Sequence, residues 1–213
     1  LACAYGEQRT AFDALGEASS EFSEFFDEIL WGGDHVRRMV MADGSAFGPI
    51  TSGYGYWGPP ELETDNLPGT GDERPGTPAS GADPDAHQAA LARIAVMLGG
   101  KSAMGTEHPV WVETAARSLA YSLESGRRDL LQLSTAVDLY TCTKDASYAK
   151  ITAELCEALF PPQGMESPSA LHVEIARRCD QALGTRLAES LAPAVLRKAE
   201  GMLENSRNPF GVY

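Results

Sequence analysis

The chain has 213 residues and carries thirty acidic against seventeen basic side chains, a net charge of −13 at neutral pH. That charge repels phosphate backbones and anionic membrane surfaces, and no basic stripe offsets it, so no nucleic-acid partner is expected. A chain this long can bury roughly 70% of its unfolded surface and needs neither a metal nor a disulfide to fold, which favours one core.

No apolar run approaches the ~20 residues that span a bilayer, so no transmembrane segment is expected. The N-terminus lacks the basic and apolar regions of a signal peptide, the pattern expected of a chain already processed. Leu1-Ala2-Cys3 matches the tail of a bacterial lipoprotein cleavage site, which leaves a lipid anchor at Cys3 as one expectation.

In chain order, Phe12, Leu15, Ser19, Phe22, Phe26 and Ile29 recur at steps of three and four and predict a first helix over Ala11–Trp31. Asp13, Glu17, Glu21, Glu24 and Glu28 fill its other faces. Each buried phenylalanine of that stripe is worth roughly 1.5–3 kcal/mol, so this helix reads as the one around which the others gather. Gly32-Gly33 is expected to end it, and His35–Met41 reads as a short helix or strand.

From Gly44 to Ala86 glycine, proline, serine, threonine and aspartate dominate, and no helix or strand period survives. This long loop is expected to be ordered, either by docking its aromatics Phe47, Tyr54, Tyr56 and Trp57 on the domain or by lying on a partner.

Asp83-Pro84 opens the second helix, with Leu91, Ile94, Met97 and Leu98 inward and Gly99-Gly100 as its stop. A third helix runs from about Glu107 to Glu124 on Trp111, Ala115, Leu119 and Leu123. The fourth, Arg127–Cys142, buries Leu130, Leu133, Val137 and Tyr140. The fifth, Ala146–Phe160, buries Tyr148, Ile151, Leu155 and Leu159 and stops at Pro161-Pro162. Ser167-Pro168 caps a sixth with Leu171, Ile175, Cys179 and Leu183 inward, ended by Gly184. Arg186–Glu204 is helical but interrupted by Pro193, which removes a backbone bond and is expected to kink or split it. The fold class is all-α, about seven helices around one core with a long ordered Gly/Pro-rich loop. It reads as a single domain made of an N-terminal helix region (1–43), the extended loop (44–86) and a helical core (87–213).

Chemistry is harder to find. HExxH, GxSxG and a P-loop are all missing. Gly53, Gly55 and Gly58 spell GxGxxG, but no strand precedes them and Pro59-Pro60 stands where a helix would open. His35, His87, His108 and His172 are scattered at element ends, and no ExxH supports a di-iron bundle. Carboxylates such as Glu21 and Glu24 read as a solvated face. No catalytic residue, metal ligand or cofactor-binding residue is assigned, and the chain is not expected to be an enzyme.

Cys3, Cys142, Cys156 and Cys179 form no CxxC pair, and buried free thiols are the simplest reading. If the helices near 127–142, 146–160 and 168–184 run up, down and up, Cys142 and Cys179 lie level and Cys156 about two turns away. Where an intrachain disulfide forms, Cys142–Cys179 is then the expected pair.

Leu15-Gly16-Glu17-Ala18-Ser19, followed by Phe22 and later by Trp31, resembles the opening helix of the peridinin–chlorophyll a proteins of dinoflagellates, where an LGDAS-type segment precedes an apolar stripe and a tryptophan. Ala90 to Met97, ALARIAVM, is similar to that family's ALKAIDKMIVMG helix, and Ala115-Ala116 falls where its next alanine-rich helix would begin. In that family the helix presents adjacent histidines, one holding a chlorophyll magnesium through water. Here Ser118-Leu119-Ala120-Tyr121 stands in their place, and leucine and alanine offer that water no acceptor. No pigment-ligating residue carries over, which leaves His87, His108 or a backbone carbonyl.

The resemblance implies a helical half-domain of the pigment-wrapping type in the chloroplast, in the thylakoid lumen. Loss of the histidine pair turns the expectation to an accessory or structural subunit docked on the lumenal side of a photosystem through residues 44–86. Chlorophyll a or a carotenoid enters as a cofactor by resemblance alone. The alternatives are a lumenal peridinin/chlorophyll-binding antenna protein and a bacterial periplasmic lipoprotein, anchored at Cys3, that serves as scaffold or ligand carrier.

Overall fold

In the computed structural model, which describes residues 24–47, 85–161 and 165–207, the apolar periods become seven helices. They are α1 (Glu24–Arg38), α2 (Asp85–Leu98), α3 (His108–Glu124), α4 (Leu130–Thr143), α5 (Ala146–Leu159), α6 (Ala170–Leu183) and α7 (Leu187–Arg207). Among the described residues there is no strand, only the isolated bridges Val40–Ala46 and Ala103–Thr106, so the fold is all-α. Phe12, Leu15, Ser19, Phe22, Tyr54, Tyr56, Trp57 and Cys3 lie outside the described residues, as does the loop from 48 to 84.

Among the described residues the most deeply enclosed element is α4. Its eight consecutive residues Gln132–Leu139 are all buried, and it packs against α2, α3, α5 and α6. A helix buried on every face lies inside a domain rather than on its surface. Its start is specified locally: Asp129 accepts from Leu131 N–H, while Gln132 Oε1 accepts from the Asp129 N–H, a reciprocal capping box. The helix therefore begins at Leu130, later than the expected Arg127. Buried apolar residues from all seven helices, Phe26, Leu91, Trp111, Leu133, Leu155, Ile175 and Leu191 among them, join in one cluster.

Gly32-Gly33 does not end α1, which continues to Arg38. A Cβ at Gly33 would come within 2.3 Å of Ile94 Cδ1 and 3.2 Å of Trp111 Cζ3, so this glycine lets α1 approach α2 and α3 closely. Beyond it, buried Asp34 closes the last turn, accepting from Arg37 at 2.7 Å and pairing with Arg38 at 2.5 Å. The chain then turns back rather than opening into a loop: Ser45 O accepts from Met41 N–H at 2.8 Å and Met39 O from Phe47 N–H at 2.9 Å. Gly44, at φ +91°, lies against α3, where Ser118 Oγ donates to its carbonyl at 3.0 Å.

Gly99 (φ +56°) and Gly184 (φ +69°) stop α2 and α6 where the sequence placed the stops. Ser169, not Ser167, is the N-cap of α6. Pro193 does not split α7, which runs unbroken from Leu187 to Arg207. The proline leaves the Glu189 carbonyl without its helical donor, and its exposed position lets water supply one.

Candidate functional site

Among the described residues, a buried group of charges is built on α4. An aspartate at position 138 of a fully buried helix must find cations, because an isolated carboxylate cannot be taken out of water at tolerable cost. Asp138 is 1% exposed. Arg178 of α6 donates from Nη1 to Asp138 Oδ2 at 2.7 Å and from Nη2 to Ser134 Oγ at 3.0 Å. Arg93 of α2 brings its Nη1 to 3.5 Å from Asp138 Oδ1, and Glu174 Oε1 lies 3.4 Å from Arg178 Nη2. Burial pushes the Asp138 carboxyl above the usual carboxylate range, against the pull of Arg178 and then Arg93.

Arg93, Asp138 and Arg178 line an open cleft of about 180 Å3 between α2, α4 and α6. Of the eight residues lining it, Arg93, Lys144 and Arg178 are cationic and Asp138 alone is acidic. Lys144 stands at the C-cap of α4 in the left-handed region (φ 58°), its ammonium 5.2 Å from the Tyr140 ring centroid. Thr141 turns its hydroxyl hydrogen to the Val137 carbonyl at 2.8 Å, which keeps its oxygen lone pairs available as acceptors. Charge of this kind can hold an anion and orient it; the described residues around it supply no paired nucleophile and base.

Sequence reasoning gave no site role to Arg93, Asp138, Lys144, Arg178 or Glu174. A signal did exist, since Arg93 interrupts Leu91-Ala92…Ile94-Ala95 and Asp138 interrupts Ala136-Val137…Leu139, each a charge inside an apolar run. Opposite charges in two such runs predict a buried pair, although not which helix brings the second arginine.

The residues that were singled out go elsewhere. His108 Nε2 donates to Ala95 O at 2.9 Å and ties α3 to α2, while His172 caps α6 with Nδ1 accepting from Ser169 N–H at 3.2 Å. His35 is exposed in the last turn of α1 and His87 is half-buried at the start of α2. Among the described residues, no three His, Cys, Asp or Glu side chains group as metal ligands. Ser118 and Leu119 are buried, Ala120 exposed and Tyr121 half-buried.

The cysteine pairing is corrected. Cys179 Sγ lies 3.7 Å from Cys156 Sγ, and Cys142, Cys156 and Cys179 are all free thiols. The up-down-up reasoning placed α6 level with α4, whereas Arg178 meets α4 at Ser134 and Asp138, half a helix earlier. By hairpin register Cys156 of α5 faces the same level as Leu133, so it is the thiol that Cys179 meets. Cys142 sits about 14 Å beyond Leu133 along α4 at ~1.5 Å per residue. Burial pushes the Cys142 thiol up to about 12. The contact with Cys179 lowers the pKa of Cys156 and raises its own.

One further surface stands out. On α7, Leu191 and Ala194 are buried, but from Leu196 to Glu200 every residue is exposed. Leu196 and Met202 are 62% and 66% exposed, and with Val195 and Ala199 they form an apolar arc of about 120° at 3.6 residues per turn. Arg197, Lys198 and Glu200 occupy the other side. Trp31, on α1, is 67% exposed.

Compared with known proteins, the chain matches no protein-family model, no curated protein and no solved structure.

Proposed function

We propose that this chain is a non-catalytic accessory subunit that docks on a larger assembly through the outer half of α7. The observation that carries this reading is the amphipathic stretch Val195–Met202, whose Leu196, Ala199 and Met202 stand exposed among the described residues. An apolar stripe gains little by standing in water, and a groove on another protein that accepts its i, i+4, i+7 positions would bury it. The setting is the one that the resemblance implies, a photosynthetic complex met from the thylakoid lumen. Support for that setting comes from the sequence segments at Leu15–Phe22 and Ala90–Met97, and the contact surface is argued from α7.

The reading is tested by tagging the chain, solubilising its native source gently and following it through a density gradient. The wild-type chain is expected to travel with a large complex, and L196E/M202E to stay at the top as a monomer. A wild-type chain found only as a monomer overturns the docking reading. An absorption spectrum of the complex identifies its class: chlorophyll at a fixed ratio supports the photosynthetic setting, and a colourless complex removes it while leaving the docking intact.

A further inference from the structure

We propose that Cys156 of α5 and Cys179 of α6 are a redox-closed tie: as free thiols they only touch, and as a disulfide they fix α6, and with it the seat of α7, to α5. The two sulfurs stand 3.7 Å apart, so about 1.7 Å of approach brings them to the ~2.0 Å of an S–S bond. Both thiols are buried, Cys179 at 0% and Cys156 at 6% exposure, which suits a small oxidant and excludes bulky thiols that would cap one sulfur alone.

Position 179 is the middle of a junction. Its neighbour Arg178 donates to Asp138 and Ser134 of α4 at 2.7 and 3.0 Å. Its other neighbour, Asp180, accepts from the Leu187 and Ala188 N–H groups at 2.8 and 3.0 Å and from the Thr185 hydroxyl, which anchors the first turn of α7. Three consecutive residues of α6 thus reach three different helices. Among the described residues, α7 packs chiefly on α6, while α5 and α6 each pack on α4 rather than on one another. The thiol contact is therefore a link between α5 and α6 that their backbone packing does not supply. A covalent bond there restrains any shift of α6 that would carry Asp180 and α7 with it. With hydrogen peroxide as the oxidant, one thiolate attacks a peroxide oxygen and breaks the O–O bond, giving a sulfenic acid and water. The second thiolate attacks that sulfur and displaces the hydroxyl as water, so the two thiols lose two protons and two electrons and one peroxide becomes two waters.

The test uses the full chain as C3S/C142S, which keeps the pair as its only thiols, with the wild-type chain read alongside at its Cys156 and Cys179 peptides. After mild peroxide and quenching, alkylation in denaturant is expected to label neither cysteine, and dithiothreitol is expected to return both. Hydrogen exchange followed by mass spectrometry is expected to slow about tenfold at Leu187 and Ala188 in the oxidised chain and to recover on reduction. Cys156→Ser, treated in the same way, is expected to show no such slowing. Thiols that stay free, sulfinic or sulfonic acid in place of a disulfide, or a disulfide that leaves exchange in α7 unchanged each overturn the proposal. The exchange of α7 within the isolated chain is independent of any partner, so this result and the docking experiment succeed or fail separately.

Discussion

Asp138 carries the largest single electrostatic stake in the described structure. Removing it takes away the carboxylate that Arg178 and Arg93 share and leaves their two guanidiniums in the interior without it. Asp138→Ala is therefore expected to cost about 3–5 kcal/mol in urea unfolding, the range for breaking a buried pair by deleting one partner. Asp138→Asn, which keeps the shape and one acceptor, should lose less; equal losses would mean that packing, not charge, sets the cost. His172 gives a milder and pH-dependent effect. Its ring is partly desolvated, which lowers its pKa below 6.5, and its neutral Nδ1 is the acceptor that completes the α6 cap. Above about pH 6.5 both folded and unfolded states hold a neutral ring and the cap is intact. As the pH falls through that value the unfolded state takes up a proton that the folded state resists, so stability drops, then levels off once the folded ring is protonated too. Chemical denaturation between pH 8 and pH 5 should show this step, and His172→Gln should flatten it.

At the scale of elements, the thiol pair reports how α5 and α6 meet. Cys156 and Cys179 sit in van der Waals contact, near enough for a disulfide to close between the two helices. Under mild peroxide, oxidation of one thiol of the pair followed by attack from the other would form a disulfide between the two helices with loss of water. Non-reducing peptide mapping is expected to recover Cys156 joined to Cys179 and Cys142 unmodified. Recovery of a Cys142–Cys179 peptide instead would show that α6 sits at a different level against α4. The original expectation of that pair came from treating three successive helices as parallel rods of equal height. Helix periods encode which residues face inward, but the height at which one helix crosses another depends on how its side chains seat between those of its neighbour. The same limit explains Gly32-Gly33. Two glycines in a row are a local stop signal, and only the position of Ile94 and Trp111 turns one of them into a site of close approach.

For the molecule as a whole, the acidic surface and the exposed arc of α7 pull in different directions. Net charge keeps copies apart, while Leu196 and Met202 invite contact with a complementary groove. L196E/M202E should leave the melting temperature unchanged within experimental error, because neither side chain contributes to the core; a marked fall would place both residues inside the fold and remove the docking surface. The amino-acid sequence determined the all-α class, core positions such as Leu91, Trp111, Leu133, Leu155 and Ile175, the stops at Gly99 and Gly184, and the high acidity. These are set by periodicity, backbone preference and composition, which act over a few residues. The tertiary structure decided that α4 is the central helix, that α1 passes through its glycines, that Cys156 faces Cys179, and that Arg93, Asp138, Lys144 and Arg178 border one cleft. Those residues lie far apart along the chain, and their meeting depends on helix crossings that no local pattern records. A lone charge in an apolar run announces that a partner is needed; only the packed structure identifies it.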